Sequence, residues 1–358
     1  MIDLGRITHR EAVLAFLDED PTVRATVIRE RLQARGYAGG ITILKDYLQE
    51  VRPQFLAART YQRTSYLPGE LGQVDWWELP VRIPVALHTE RKAFGLVVTL
   101  PHSAAHTCVF THSQTLYDFL PAVLGCLVRL GGVPAGLVLD NDTSMVVHVP
   151  GHRSRLHQEV AALFGALGTR AIVLPPRRPT SKGQVERTVG YLETSFLPLR
   201  HFRDIGDLQA QHDAWAQGKA YLRFHRRVGA RVIDAYRVEQ PHLGPLPGAL
   251  PDTDRHLETR ITKDAFVRAV GADYSVPPGL VGRRVQVRVS LTEVMVHLEG
   301  REIARHLRSY VPADVVIDLE HARALRAARE AERRLRRGDV PVEAPDLSRY
   351  DALLGVRL

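Results

Sequence analysis

Cysteine is scarce in this sequence of 358 residues, which contains only Cys108 and Cys126. The two cysteines form no Cys-x-x-Cys pair, and no histidine stands beside them at metal-ligand spacing. The sequence therefore predicts neither a disulfide framework nor a zinc site. We expect both side chains to be buried as small hydrophobic groups.

Long apolar runs are also missing. No uninterrupted stretch approaches the roughly 18 apolar residues that a membrane-spanning helix needs. The first residues lack the basic and apolar regions that mark a signal peptide. We therefore expect a cytoplasmic protein with no membrane segment.

Positive charge is in excess, because 48 Lys and Arg residues stand against 40 Asp and Glu residues, for a formal net charge of +8. This excess favours a polyanionic partner such as nucleic acid, although many basic proteins bind none. Hydrophobic residues at 45% and charged residues at 25% are typical of globular proteins. The length predicts two or three domains.

The first 52 residues carry apolar residues at helical spacing in three short segments, separated by proline or glycine. This pattern predicts a helix-turn-helix-like DNA-binding domain over residues 1–52, with Thr42, Lys45 and Asp46 of the third helix facing the DNA groove. A small helical packing module fits the same pattern. Residues 53–68 are polar and basic, and we expect them to be a linker.

Residues 69–236 alternate between strand and helix patterns. Three closely spaced strands begin near residues 72, 92 and 106 and predict an antiparallel meander. Two buried strands follow, at residues 136–139 and 169–174, with an amphipathic helix before, between and after them. Strands that meander and then alternate with helices predict an α/β fold with a mixed sheet flanked by helices. A further helix is predicted over residues 205–230.

The last third of the sequence begins with a second linker, residues 237–256, where four prolines and two glycines interrupt the pattern. Valines then alternate with polar residues, so residues 257–312 are predicted to form a small β-barrel domain. Residues 313–358 are predicted to be a basic helix and tail. The helix, residues 319–337, contains seven Arg and three Glu residues.

Three acidic residues stand out because of where they lie. Asp75 lies within the first strand of the predicted sheet, Asp140 follows the buried strand 136–139, and Glu186 lies early in the helix after the last strand. If the first and fourth strands are neighbours, Asp75 and Asp140 converge, and the helix that bears Glu186 closes the site from one side. Two Asp and one Glu supply the minimum of oxygen ligands for two Mg²⁺ or Mn²⁺ ions that act on phosphodiesters.

The segment around Glu186 is basic. Arg177, Arg178 and Lys182 precede it and Arg187 follows it, and residues 174–185 include no acid. We expect these four cations to neutralise DNA phosphates beside the metal ions. A solvated basic rim is the alternative.

The order and setting of the three acids resemble the acidic triad of DDE transposases and retroviral-type integrases. The matching motifs are Gly72-Gln73-Val74-Asp75-Trp76, Leu139-Asp140-Asn141 and Lys182-Gly183-Gln184-Val185-Glu186-Arg187. Further stretches are similar to IstA-type insertion-sequence transposases, so that the resemblance covers nearly the whole chain. These are Ala34-Arg35-Gly36-Tyr37-Ala38-Gly39-Gly40, Leu44-Lys45-Asp46-Tyr47, Tyr274-Ser275-Val276-Pro277-Pro278 and Leu280-Val281-Gly282-Arg283.

The resemblance implies a ribonuclease-H-like core in which Asp75, Asp140 and Glu186 bind two catalytic Mg²⁺ or Mn²⁺ ions. It implies a DNA transposase that hydrolyses phosphodiesters at insertion-sequence ends and joins the freed 3′-hydroxyls to target DNA. The implied partners are double-stranded DNA, further copies of the chain in a synaptic homo-oligomer, and an IstB-type AAA+ ATPase helper. A nucleoid-associated location follows. The sequence contains no P-loop, so ATP use is expected of the helper alone.

Members of this family usually carry a DNA-binding helix-turn-helix ahead of the segment that begins here. Only a few residues precede the first predicted helix, and we expect that module to be missing. The alternative function is therefore a truncated or catalytically inactive transposase that acts as a DNA-binding regulator.

Other acids near the motifs compete for the same roles. Asp142 is either a turn cap or a member of the acidic site, and we favour Asp140 because it matches the motif. Glu193 lies two turns after Glu186 on the same helical face, but it lacks the motif setting and is expected at the surface. Glu78 is expected to be structural.

Two tryptophans and one histidine lie close to the predicted acidic site. Trp76 and Trp77 are expected in the core or at its edge rather than on DNA, because a tryptophan beside a strand is usually buried. His157 is a candidate for a role near the site, and the other histidines are assigned none.

Overall fold

The computed structural model describes residues 7–55, 65–147, 155–174 and 183–337. The chain divides into two compact units, Met1–Ser65 and Tyr66–Leu358. Within the described ranges, no helix combines the length and apolar character needed to cross a bilayer.

The first unit contains the three predicted helices. They are α1 (Ile7–Glu19), α2 (Ala25–Gln33) and α3 (Ile41–Val51), followed by a short 3₁₀ turn (Arg52–Gln54). One apolar face of α3 packs against the other two helices, and it comprises Leu44, Tyr47, Leu48 and Val51. The opposite face carries the exposed residues Thr42, Lys45 and Asp46.

The second unit is built on a five-stranded mixed sheet. Its strands are β1 (Leu71–Ala86), β2 (Thr89–Thr99), β3 (His106–Thr111), β4 (Gly136–Leu139) and β7 (Arg170–Val173), with a small hairpin of β5 (Val146–Val147) and β6 (Arg155–Leu156) between the last two. The strand order is β3-β2-β1-β4-β7. Strand β2 is antiparallel to both β1 and β3, whereas β1, β4 and β7 are parallel.

Helices cover both faces of this sheet because successive side chains of a strand point to opposite sides. The helices are α4 (Leu116–Leu130), α5 (Gln158–Ala166), α6 (Gly183–Tyr191), α7 (Ile205–Trp215) and α8 (Val232–Glu239), with π-helical turns at Leu192–Phe196 and Ala216–Ala220. Val74 of β1 belongs to the apolar cluster beneath α4 and α5, and Trp77 belongs to the cluster beneath α6 and α7. The sheet and these helices are called the sheet core below.

The predicted α/β fold with a ribonuclease-H-like mixed sheet is confirmed. Strand β1 begins as predicted and continues to Ala86, although Pro80 and Pro84 lack the N–H that a strand ladder uses. The pairing of β1 with β2 accommodates them through register shifts between Glu78 and Arg82 and between Pro84 and Ala86.

The helix predicted over residues 205–230 is wrong in its second half. Helical structure ends at Ala220, and a hairpin of β8 (Phe224–His225) and β9 (Ala230–Arg231) follows. Gly229 has φ +76° at the turn, a backbone conformation that ends a helix and that glycine adopts without steric cost.

The predicted C-terminal β domain is present as two sheets around one apolar cluster. Its strands are β10 (Arg255–Arg260), β11 (Phe266–Ala269), β12 (Ala272–Ser275), β13 (Arg284–Val289), β14 (Glu293–Leu298), β15 (Arg301–Leu307) and β16 (Val315–Val316). Strands β10-β13-β14-β15 form the first sheet and β11-β12-β16 the second. Helix α9 (Leu319–Arg337) follows, with the predicted bounds.

A buried ion pair joins the β domain to the sheet core. Arg308, whose side chain is 11% exposed, donates from Nη1 to Oδ1 of the fully buried Asp118 at 3.0 Å. Asp118 also accepts hydrogen bonds from the hydroxyls of Ser113 and Thr115. The carboxylate is thus paired and hydrogen-bonded, as a buried charge must be.

Both cysteines are buried and unbridged, as predicted. Burial raises the pKa of the Cys126 thiol to about 12. Cys108 and Cys126 therefore stay protonated and act as apolar core groups.

Replacing Asp118 by Ala is expected to lower the free energy of unfolding by roughly 3 kcal/mol, because Arg308 is left buried without its carboxylate. Thermal unfolding followed by circular dichroism measures the loss. The control is Glu293→Ala, which breaks the exposed pair with Arg305 (2.8 Å) and should cost less than about 1 kcal/mol. Equal losses in the two variants would contradict a stabilising role for the junction.

Candidate active site

The pairing of β1 with β4 brings two of the predicted acids to one place. In this parallel ladder Leu71 pairs with Gly136, Gly72 with Leu137 and Gln73 with Val138, a constant offset of 65 residues. Continued by two residues, the same offset places Asp75 beside Asp140. Neighbouring strands lie about 4.8 Å apart, so the two backbones are adjacent where β4 ends at Leu139.

Both acids belong to the same face of the sheet. Residues in register across a parallel pair point to the same side, and side chains alternate along each strand. Val74 and its neighbour in the continued register, Leu139, both lie in the cluster beneath α4 and α5. Asp75 therefore faces the side covered by α6 and α7, and the same alternation continued by one residue beyond β4 directs Asp140 to that side.

Helix α6 is fixed to that face by a hydrogen bond from the sheet. The backbone N–H of Val185 donates to Oε1 of Gln73 at 3.1 Å. Amides in the first turn of a helix have no partner within the helix, so Gln73 caps α6 from the strand. Gln73 precedes Asp75 by two residues on the same face, and Glu186 follows Val185 directly.

Packing reinforces this placement of α6. Val185 is fully buried and joins the cluster that contains Trp77. Glu186 and Arg187 come next and are exposed, with Arg187 Nη1 donating to Oε1 of Gln184 at 3.4 Å. The buried side of α6 thus faces the sheet while its acid and its cation face solvent. The other three predicted cations, Arg177, Arg178 and Lys182, lie outside the described residues.

The three carboxylates suit a hard divalent cation by their chemistry. Asp75 is half-buried, and Asp140 and Glu186 are exposed at the end of the sheet, so all three supply the oxygen ligands that Mg²⁺ prefers. In the described ranges, however, no three Asp, Glu, His or Cys side chains are already grouped around a point where one ion would fit. The register of β1 and β4 brings Asp75 and Asp140 to the same end of the sheet, and no preformed metal site that includes Glu186 is present among the described residues.

The competing acids have structural partners. Asp142 accepts the backbone N–H of Ser144 at 2.8 Å and caps a turn. Glu193 accepts the indole N–H of Trp77 at 3.0 Å. Glu78 pairs with Lys92 at 2.6 Å on the surface. These contacts agree with the preference for Asp140 and Glu186.

The aromatic residues and His157 also have structural contacts. Trp77 is 3% exposed within the core, and Trp76 is half-buried and donates to the hydroxyl of Ser144 at 3.1 Å. Both match the expectation of a core position. His157 lies 3.0 Å through Nε2 from the carbonyl oxygen of Thr143, which fixes the loop after Asp142.

Gln73 is a residue of this site that the sequence pattern does not single out. The available signal is a polar side chain two positions before Asp75 in a strand, where alternation assigns it to the same face. Its burial, at 1% exposure, and its bond to α6 depend on the tertiary structure, so the sequence alone does not distinguish it from an exposed glutamine.

Comparison with known proteins points to one class of enzyme. Residues 246–318 match the family described as Mu transposase, C-terminal domain. The chain is 28% identical over 282 residues to the transposase for insertion sequence element IS21 of Pseudomonas aeruginosa, covering 78% of this chain and 71% of that protein. It is 26% identical over 276 residues to the transposase for an IS21-like element of Bacteroides fragilis, covering 74% and 52%. The predicted resemblance to insertion-sequence transposases is confirmed.

Two solved structures are similar at low identity. One is the cryoEM structure of a simian T-cell lymphotropic virus intasome in complex with the PP2A regulatory subunit B56 gamma (17% identity, TM-score 0.38, 85% of this chain and 99% of that chain). The other is the HTLV-2 integrase catalytic core domain in complex with magnesium (18%, TM-score 0.34, 48% and 99%). Both superpositions are loose, and the fold assignment rests on the strand order.

Replacing Gln73 by Ala is expected to loosen the first turn of α6. The Val185 N–H would be left buried without an acceptor, which costs about 1–3 kcal/mol, so amide hydrogen exchange over residues 183–188 should accelerate roughly tenfold or more. The control is Gln211→Ala on α7, where Gln211 bonds to the carbonyl of His201. Unchanged exchange in α6 of the Gln73 variant would show that the bond does not hold the helix.

Proposed function

We propose that this chain is a DNA transposase that hydrolyses phosphodiesters at the ends of an insertion sequence and joins the freed 3′-hydroxyls to target DNA. The observation that carries the proposal is the register of β1 and β4, which directs Asp75 and Asp140 to one face beside the helix that bears Glu186. Similarity to insertion-sequence transposases supports the same chemistry.

The reaction has two displacements at phosphorus. In the first, a water oxygen bonds to the phosphorus, the 3′ oxygen leaves with a proton, and the element retains a 3′-hydroxyl. In the second, that hydroxyl attacks a target phosphodiester, a new phosphodiester forms, and the target's own 3′ oxygen leaves with a proton. Each step exchanges one P–O bond for another, so no external energy source is needed.

The chain's residues supply binding and alignment for these steps. Asp75, Asp140 and Glu186 are the proposed ligands of two Mg²⁺ or Mn²⁺ ions, and Gln73 holds the first turn of α6, which bears Glu186, against the sheet. When bound, such ions supply Lewis-acid polarisation of the phosphoryl oxygens and a lowered pKa for the attacking hydroxyl or water. Because Arg187 is exposed beside Glu186, we assign it a contact with a DNA phosphate.

Further DNA contacts are assigned to other cations. Arg177, Arg178 and Lys182 precede α6 in the sequence and are proposed to bind phosphates near the scissile bond. In the first unit, Thr42 and Lys45 lie on the exposed face of α3, opposite its apolar face. A recognition helix needs such a polar exposed face to enter the major groove.

The proposed partners follow from the reaction. Joining two element ends to one target requires at least two active sites, so a synaptic homo-oligomer is proposed on double-stranded DNA. An IstB-type AAA+ ATPase is proposed to select the target, and the complex would be associated with the nucleoid. The proposed domain limits are 1–52, 69–236, 257–312 and 313–358, separated by linkers.

A DNA-binding regulator without catalytic activity is the second candidate. The observation that favours it is the lack of a preformed three-ligand cluster among the described side chains. Such a protein would bind element ends and neither nick nor join them, whatever divalent ion is supplied.

The variants Glu186→Gln and Asp140→Asn are expected to lose strand nicking and joining by at least about a thousandfold, because each removes a charged metal ligand, while DNA binding is retained. The assay incubates the full chain with labelled element-end duplexes and Mg²⁺ or Mn²⁺ and separates the products by size. Binding to the same duplexes is measured in parallel.

Each variant has a matched control on a neighbouring acid. Glu193→Gln retains an amide oxygen for the Trp77 indole, and Asp142→Asn retains one for the Ser144 amide, so both controls should keep near wild-type activity. Full activity in Glu186→Gln, or loss only in the controls, would mean that other acids hold the metals. Binding without any nicking by the wild-type chain would favour the regulator.

A further inference from the structure

A cavity of about 370 Å³ lies where the β domain meets the sheet core. Its walls come from the beginning of β2, the segment between β3 and α4, the beginning of β10 and the segment after β15. Among the described residues, three arginines line it, Arg91, Arg255 and Arg308, and no acidic residue does. The cavity has room for a group several times larger than a water molecule, whose share of liquid volume is about 30 Å³.

The guanidinium of Arg308 is held against the cavity wall. Its Nη1 donates to Asp118 and to the carbonyl of Ser290, each at 3.0 Å. Its Cζ lies 4.5 Å from the ring centroid of Tyr310, another lining residue. These contacts use one nitrogen of the guanidinium and leave its orientation fixed.

The other two arginines are anchored in the same manner. Arg255 places its Cζ 4.7 Å from the ring centroid of Tyr117, which also lines the cavity. Arg91 donates from Nη1 to the carbonyl of Tyr310 at 2.5 Å. Three guanidinium groups from separate parts of the chain thus line one cavity. Tyrosine rings, backbone carbonyl groups and a single carboxylate, that of Asp118, hold them in place.

The cavity carries more positive charge than its surroundings neutralise. Asp118 is the one acid in direct contact with these arginines in the described part of the chain, and it pairs with Arg308. The buried Nε atoms of Arg255 and Arg308 have no acceptor among the described residues. Burial lowers the pKa of His112, which also lines the cavity, and the charges of Arg91 and Arg308 lower it further. Partly buried cations without an acidic partner are costly, and an anion in the cavity would neutralise Arg91 and Arg255.

The cavity lies at the end of the sheet that carries the candidate active site, where β3 and β4 terminate. Strands β3, β1 and β4 run in the same direction, and His112 follows the end of β3 as Asp140 follows the end of β4. Asp75 is in register with Cys108 of β3 through Val97. His112 comes four residues after Cys108 in the direction of β3, and β3 lies two strands away from β1. The rise per residue and the spacing of strands then place His112 about 16 Å from Asp75. This span corresponds to about five base pairs of duplex.

We propose that Arg91, Arg255 and Arg308 form a binding site for a backbone phosphate of duplex DNA, about five base pairs from the bond that the acidic site cuts. The proposal rests on the proposed function, because it needs DNA to cross this edge of the sheet. A phosphate oxygen accepts hydrogen bonds from several guanidinium nitrogens at once. The contact positions the duplex and reads no base.

The test measures duplex binding by the full chain without divalent metal, as a function of salt. For Arg91→Gln and Arg255→Gln, the slope of log K against log salt should become shallower by about 0.9 for each phosphate that the variant no longer neutralises, and affinity should fall. The control, Arg305→Gln, removes the same charge from the β domain, but Arg305 is already paired with Glu293 and Glu302. It should leave the slope unchanged. Arg255→Lys should restore part of it.

Three results would overturn the proposal. In the first, both Gln variants keep the wild-type salt slope, affinity and melting temperature. The arginines would then only stabilise the contact between the β domain and the sheet core, and the proposed function would stand. If inorganic phosphate raises the melting temperature of the wild type but not of Arg255→Gln, and the DNA slopes are equal, the site takes free phosphate instead. Failure of the wild type to bind duplex would overturn both proposals. If a Gln variant has a lower melting temperature than the wild type, the Arg255→Lys variant separates the effect of lost charge from that of lost stability, because lysine keeps the positive charge.

Discussion

The parallel register of β1 and β4 is the constraint on which the candidate site depends. Side chains alternate along a strand, so a slip of one residue would turn Asp75 away from Asp140 and into the opposite apolar cluster. Gly72 lies beside Leu137 in this ladder, and a Cβ at that position would come within 2.9 Å of Leu137 Cδ2 on the neighbouring strand, so the leucine side chain occupies this space.

The same constraint extends to α6 through Gln73. A buried glutamine is tolerated in the sheet because it accepts the Val185 amide, a donor that the helix cannot satisfy internally. Val185 packs into the apolar cluster, so the first turn of α6, which bears the exposed Glu186, is held against the sheet. One polar contact thereby couples strand and helix, and with them two of the three proposed ligands.

Several carboxylates near the site are engaged in structure rather than chemistry. Asp142 caps a turn, Glu193 accepts the Trp77 indole, and Asp118 anchors the β domain through Arg308. Fixed contacts of this kind hold the loops and helices around the proposed ligands. The junction at Asp118 has a second consequence, because it assembles three arginines from distant parts of the chain around one cavity at the same edge.

The amino-acid sequence by itself determined the order of the five main strands and the helices between them, the mixed α/β class, the C-terminal basic helix and the choice of three acids as candidates, because hydrophobic period and local motifs are properties of neighbouring residues. It did not reveal the full length of β1, since Pro80 and Pro84 are accommodated only by shifts in pairing with β2, nor the hairpin after Ala220. The opposition of Asp75 and Asp140, the capping of α6 by Gln73 and the arginine-lined cavity were decided by tertiary structure alone. Each joins residues far apart in the chain, and contacts of that kind follow from packing rather than from local pattern.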